Sequence, residues 1–191
     1  MTLLVLGILL FALIHLSKSL APDFRISLQQ RLGENPYKGV FSLFIITSIV
    51  LIVLGWRSTV PQYIYVPSPA LRMPALLLLV IAFWLLVISS RPSRIKRVLR
   101  HPQLTGVALW GIAHLLLNGD SRGLVLFGGL TLWAIVEVFT INHRDGPWIK
   151  PAPPSLSVDA INLVITAVVL AVVIVAHPWL AGVAVTGHLP L

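Results

Sequence analysis

An all-α, polytopic membrane bundle of about six helices is what this sequence predicts, and three observations carry that reading. Apolar residues make up 57% of the chain, charged residues only 10%, and the mean hydropathy is +0.94, whereas soluble domains carry about 25% charged residues. Six apolar stretches recur along the 191 residues, each near the length that crosses about 30 Å of hydrocarbon. That leaves room for one domain, residues 1–191, and for no separate soluble one. Most of the proline and most of the charge fall between those stretches, where chain breakers belong.

The first span runs from Met1 to about Leu20. It lacks a basic segment ahead of the apolar run and a small-residue cleavage site, and Lys18 follows the run, so it reads as a retained helix and not as a signal peptide. Pro22 and Pro36 bracket the first loop, and the second span runs from about Gly39 to Trp56. After Pro61, Pro67 and Pro69 comes the third, Leu71 to Ser90; after Pro92 and Pro102 the fourth, Leu104 to Leu117. Asn118-Gly119-Asp120 makes the tightest connection, a helical hairpin turn, because Gly and Asn accept the left-handed backbone that follows a helix end. The fifth span, Gly123 to Ile141, and the sixth, Val158 to Leu180, flank a loop punctuated from Pro147 to Pro154.

Charge fixes the expected orientation. The odd-numbered loops hold eleven Lys and Arg (Lys18, Arg25, Arg31, Lys38; Arg91, Arg94, Lys96, Arg97, Arg100; Arg144, Lys150) against three in the even ones (Arg57, Arg72, Arg122). The positive-inside rule then places the odd loops in the cytoplasm and the N-terminus outside. The net charge of +8 and the pI near 10.9 follow from this arrangement, with the bilayer as the partner. No aromatic-basic alternation points to nucleic acid. Cysteine is absent, which removes thiolate ligands and covalent thioether attachment of haem, so metal chemistry would rest on histidine, carboxylate or backbone.

Ionisable residues within the spans are the candidates for function, since a charge at the bilayer centre costs about 2.5–3.5 kcal/mol on the insertion scale. They are His15, His114 and Glu137. His15 shares a helix face with Phe11, Lys18 and Ser19. In the fourth span Gly106, Trp110 and His114 form a stripe that reads as a pocket wall, and Gly106 and Gly111 admit either a neighbouring helix or a flat cofactor. His101 lies thirteen residues before His114, a rotation of about 220° and a rise of about 20 Å, so the two cannot ligate one metal. Glu137 shares a stripe with Trp133 and Ile141, and a structural hydrogen-bond partner is its plain reading. His143, His177 and His188 sit at boundaries. For His15 and His114 the plain alternative is a neutral imidazole bonded within the bundle.

The segment Arg100-His101-Pro102-Gln103-x-x-Gly106, leading through Leu109-Trp110 and Ala113-His114-Leu115-Leu116 to Asn118-Gly119-Asp120, resembles the signature of the NnrU family. Ile14-His15-Leu16, Leu126-Phe127-Gly128-Gly129 and Trp133 extend the likeness over nearly the whole chain. That family is associated with denitrification and nitric-oxide handling in the bacterial inner membrane, and it is similar to 15-cis-zeta-carotene isomerase, a membrane enzyme carrying b-type haem. The resemblance implies haem b with His15 and His114 as iron ligands, and a redox, isomerase-like or nitric-oxide-linked role on a small gas or a polyene. Arg94, Lys96, Arg97 or Arg100 would meet the propionates; the plain reading of these four is a topology signal plus attraction to anionic lipid. Gly111 stands where the isomerase carries cysteine, which removes any thiolate switch.

One geometric tension is visible already. His15 sits roughly 7 Å from the cytoplasmic boundary and His114 nearer 15–20 Å at about 1.5 Å per residue; unless tilt closes that gap, His101 is the better partner of His15. Two other classes stay open. The Arg100-His101-Pro102 segment with Asn118 and Glu137 is also similar to the S-adenosylmethionine-binding half of isoprenylcysteine-type methyltransferases, although Asn118-Gly119 replaces their Asn-Pro. A cofactor-free accessory protein for a nitrogen-oxide reductase would instead use small-residue faces such as Gly128-Gly129 and Ala181-Gly182 against a membrane partner or a second copy.

Overall fold

The computed structural model describes residues 1–182, so His188 and the rest of the C-terminal tail lie outside the described residues. Seven α-helices account for the fold: α1 (Thr2–Leu20), α2 (Pro22–Leu32), α3 (Glu34–Ser58), α4 (Arg72–Ser89), α5 (Pro102–Leu117), α6 (Ser121–Asp145) and α7 (Leu156–Ala181). The all-α membrane bundle expected from composition is the fold observed. Five of these segments are long and apolar enough to cross a bilayer, those of α1, α3, α4, α6 and α7. The fourth expected span, α5, is apolar but has 16 residues, about 24 Å of helix against about 30 Å of hydrocarbon.

Two boundaries differ from the sequence reading. Residues 21–38, expected as a loop, contain α2, and α3 starts at Glu34 rather than near Gly39. Pro22 occupies the first turn of α2, and Pro36 lies in the first turn of α3. There a missing N–H costs nothing, because those amides have no intrahelical acceptor anyway. The break between them is Gly33, at φ 84°, a conformation that glycine adopts without a Cβ penalty. None of the α2 side chains is buried, as suits a helix lying along an interface.

The spanning helices pack as an open row in the order α3, α1, α6, α5, α4, α7, with α2 against α1 and α3. The two helices at the ends of the row, α3 and α7, bury only 11% of their apolar windows, compared with 22% for α1, α4 and α6. Apolar surface facing outward is stable only in lipid. Small residues set the inter-helix distances. A Cβ at Gly55 would lie 2.6 Å from Leu4 Cα in α1, and one at Gly106 would lie 2.9 Å from the Ala82 carbonyl oxygen in α4. One at Gly111 would lie 2.8 Å from the Phe127 carbonyl oxygen in α6 and against Thr131 Oγ1. Gly106 and Gly111, open to two readings in the sequence, are therefore packing positions.

Polar contacts close each end. At the basic end, Arg91 Nε donates to Asn162 Oδ1 (2.7 Å), Asn162 Nδ2 donates to the Pro92 carbonyl (2.9 Å) and Ser93 Oγ donates to Asp159 (2.7 Å), tying α7 to α4. At the opposite end, the amides of Ile64 and Tyr65 donate to the Gly119 carbonyl, and the Tyr65 hydroxyl donates to the carbonyls of Leu115 and Asn118. Asp120 caps α6 by accepting from Arg122 N and Gly123 N, both at 2.9 Å. The Asn118-Gly119-Asp120 turn joins α5 to α6 as expected and docks the preceding loop, but it does so without the expected left-handed backbone: Asn118 is extended at φ −129° and ψ 115°, and Gly119 is not at positive φ. Gly119 is needed there because a Cβ would strike the Tyr65 carbonyl.

Candidate functional site

Because the row curves, α1, α6, α5 and α4 enclose a cavity of about 680 Å³ toward the basic end. This is within the range of about 300–1,000 Å³ typical of ligand pockets. Its apolar wall comes from Phe11, Phe83, Leu86, Val107, Trp110, Leu130 and Trp133, and its rim from Lys18, Arg25, Arg100, His101 and Arg144. His15 and Glu137 also line it.

His15 is held by its own helix. Its Nδ1 lies 2.8 Å from the Phe11 carbonyl oxygen; a carbonyl only accepts, so Nδ1 carries the proton and Nε2 keeps a lone pair. The ring packs on Phe11 at 4.2 Å and against the edge of Trp133 at 5.1 Å. This second-shell bond is of the kind that fixes a metal-ligating histidine.

His101, in the residue before α5, lies at the rim. Its Nε2 donates to Asn142 Oδ1 at 2.9 Å, leaving Nδ1 as its free ring nitrogen. His114 has the same backbone bond as His15, from Nδ1 to the Trp110 carbonyl at 2.8 Å, and its ring stacks on Phe127 at 4.4 Å. It does not line the cavity. His15 packs on Trp133 and His114 on Phe127, six residues apart along α6, or about 9 Å of rise. The structure therefore brings His15 and His101 to one cavity and seats His114 at another level.

Three buried polar atoms around this cavity find no hydrogen-bond partner among the described residues: Glu137 Oε2, Trp133 Nε1 and Arg25 Nε. Glu137 Oε1 accepts from Ser19 Oγ at 2.8 Å, and Glu137 is the cavity's one lining carboxylate. Buried polar atoms left unpaired are uncommon, and a water or a bound group in the cavity would satisfy them. Four cations stand over that single carboxylate. Lys18 Nζ rests 3.7 Å from the Phe41 ring centre, and Arg100 donates to the Gly146 carbonyl at 2.7 Å. Arg144 pairs with Asp145 at 2.6 Å and donates to the Lys18 carbonyl. The rim suits an anionic group.

Of the four basic residues expected near propionates, only Arg100 reaches the cavity. Arg94 and Arg97 line a separate shallow cleft, and Lys96 Nζ donates to the Ser89 carbonyl at 2.7 Å, with burial pulling its pKa below the ordinary lysine value. Arg25 reaches the site because residues 22–32, expected as loop, form α2. Pro22 followed by Asp23 was the signal, a helix-start pattern. Among the described residues no group of three or more His, Cys, Asp or Glu could hold a bare metal ion, whereas porphyrin iron asks the protein for only one or two axial ligands.

A family model described as "NnrU protein" matches residues 3–185 of the chain. No curated protein and no solved structure matches it.

Proposed function

Since the chain belongs to the NnrU family, we propose that it is a membrane b-type haem protein whose cavity between α1, α4, α5 and α6 holds the haem, with a nitric-oxide-linked role. The observation that carries this reading is His15, whose Nδ1 bond to Phe11 leaves Nε2 free in a cavity of about 680 Å³ with an aromatic wall. The residues fit the group in two further respects. The aromatic wall suits a flat macrocycle, and the rim cations Arg100, Lys18, Arg25 and Arg144 suit its propionates, with Arg25 Nε already buried and unpaired.

His15 would hold the haem iron through Nε2. Phe11 and Trp133 fix the angle of its ring, and Asn142 holds His101 at the rim, where it would meet the anionic edge. Haem bound through one imidazole supplies one-electron chemistry and an open coordination position for a small gas. The level of His114 favours this reading over a bis-histidine site and over an isomerase-like role resting on both ligands. The distribution of eleven basic residues at one end supports a cytoplasmic basic end, an outward N-terminus and residence in the bacterial inner membrane.

The test is the absorption spectrum of detergent-purified protein from haem-sufficient cells, oxidised and dithionite-reduced, for wild type, His15→Ala, His101→Ala and His114→Ala. A Soret band lost in His15→Ala and kept in His114→Ala, with carbon monoxide shifting the reduced band, is the expected result. Loss in His114→Ala alone would move the ligand to α5. A featureless wild-type spectrum with no uptake of added haemin would overturn the proposal in favour of an accessory protein or a methyltransferase.

A further inference from the structure

Arg94 and Arg97, which the cavity does not use, lie together elsewhere. With Val98, Lys150 and Pro153 they line a shallow cleft of about 430 Å³ at the basic end. The two connecting segments that form it, 90–101 between α4 and α5 and 146–155 between α6 and α7, are locked to one another and to α7. Ser93 donates to Asp159, Arg94 Nε donates to the Pro154 carbonyl at 3.0 Å and Arg100 donates to the Gly146 carbonyl. The cleft is therefore preformed, and a ligand would not have to order it.

Its charge is unbalanced. Arg94 Nε lies 4.0 Å from Asp159 Oδ2, so Asp159 offsets one of three cations, and Arg97 and Lys150 remain in surplus. Beside them two large apolar side chains stand out of the protein, Val98 at 80% exposure and Ile149 at 91%. Val98 lies just before α5 and Ile149 just after α6, so cations and exposed aliphatic groups share the basic end of the bundle, the end that the positive-inside rule sets at the cytoplasmic headgroups. Apolar side chains in that position bury themselves below the headgroups, and cations in that position attract anionic lipid.

We propose that this cleft binds the phosphate of an anionic phospholipid, with Arg97 and Lys150 on the phosphate and Val98 and Ile149 among the first acyl carbons. The occupant is a lipid and not a soluble phosphate, because the apolar pair has nothing to cover on a free anion. The site is separate from the cavity and does not depend on what the cavity holds.

Native mass spectrometry of the full chain in detergent, titrated with phosphatidylglycerol or phosphatidylcholine, tests it. Each surface cation near the membrane is worth about fivefold in lipid affinity. Arg97→Gln and Lys150→Gln each lower phosphatidylglycerol affinity about fivefold, the double variant lowers it about 25-fold, and Arg97→Lys leaves it near wild type. Phosphatidylcholine binds weakly throughout, and millimolar glycerol 3-phosphate does not displace the lipid. Equal retention by wild type and the double variant would overturn the proposal, as would equal binding of the two lipids. Displacement by glycerol 3-phosphate would replace the lipid with a free phosphate and also overturn it. Salt titration of the unmodified chain gives a readout that needs no variant: affinity falls as ionic strength rises, and a flat response counts against the site.

Discussion

Gly111 marks a close approach of α5 to α6. Adding a single methyl group there, Gly111→Ala, places a Cβ 2.8 Å from the Phe127 carbonyl oxygen and against Thr131 Oγ1. Thr131 can turn away at little cost, since its hydroxyl is buried without a partner. The carbonyl is backbone and cannot. To open 2.8 Å to the 3.4 Å at which ordinary contact begins, α5 and α6 must separate by about 0.6 Å. Overpacking of this kind costs about 1–3 kcal/mol. The gain in helix propensity from Gly to Ala, about 0.8–1 kcal/mol, works in the other direction.

Gly128 supplies the control, because a Cβ there meets nothing within 4 Å. Gly128→Ala takes the same propensity gain with no collision, so the difference between the two variants isolates the packing cost. At about 2–4 °C per kcal/mol for a chain of this size, Gly111→Ala melts about 2–12 °C below Gly128→Ala when unfolding in detergent is followed by tryptophan fluorescence. Gly111→Cys melts no higher than Gly111→Ala. Phe127 also stacks on His114, so the widened interface loosens that ring as well. A Gly111→Ala protein as stable as Gly128→Ala would refute the account of how α5 and α6 are spaced.

Replacing buried Asn162 with leucine leaves Arg91 Nε and the Pro92 carbonyl without their partner; a loss of about 2–3 kcal/mol is expected, read as faster tryptic cleavage after Arg97, and unchanged cleavage would separate the staple from loop order. Gly119→Ala pushes the 59–68 loop off the α5–α6 turn, so hydrogen exchange at the Ile64 and Tyr65 amides, which both donate to Gly119, accelerates while the α6 amides stay protected. Burial, and then the charge of Asp120, raises the Tyr65 phenol above its ordinary pKa. Its contribution to stability is therefore fully present below about pH 10 and is lost as pH rises through the folded value. Tyr65→Phe removes that alkaline decline from the melting temperature, and an identical pH profile in the variant would show that Tyr65 does not carry it.

Much of this protein was legible in its sequence because the signals are local. Twenty or so apolar residues must form a helix in lipid, since no other conformation satisfies their backbone there. Thus α1, α4, α6 and α7 fall close to where hydropathy puts them. The Asn118-Gly119-Asp120 turn is likewise local chemistry, an acidic cap after a glycine. The helix α2 was missed because its 11 residues carry little apolar periodicity; two prolines that begin helices looked like two prolines that bound a loop.

What hydropathy does not contain is the order of the row, because in lipid an apolar face gains nothing by choosing one neighbour over another and close packing decides. Only the tertiary structure curves α1, α6, α5 and α4 around a cavity and turns Arg25 of α2 toward it. The three histidines show the division. Helical spacing implies that His101 and His114 cannot ligate the same metal, a one-helix fact. That His15 meets His101 across the cavity, while His114 stacks on Phe127 at another level of α6, depends on how far α5 is set along α6. That offset comes from contacts such as Gly111 on Phe127, made between residues distant in the chain.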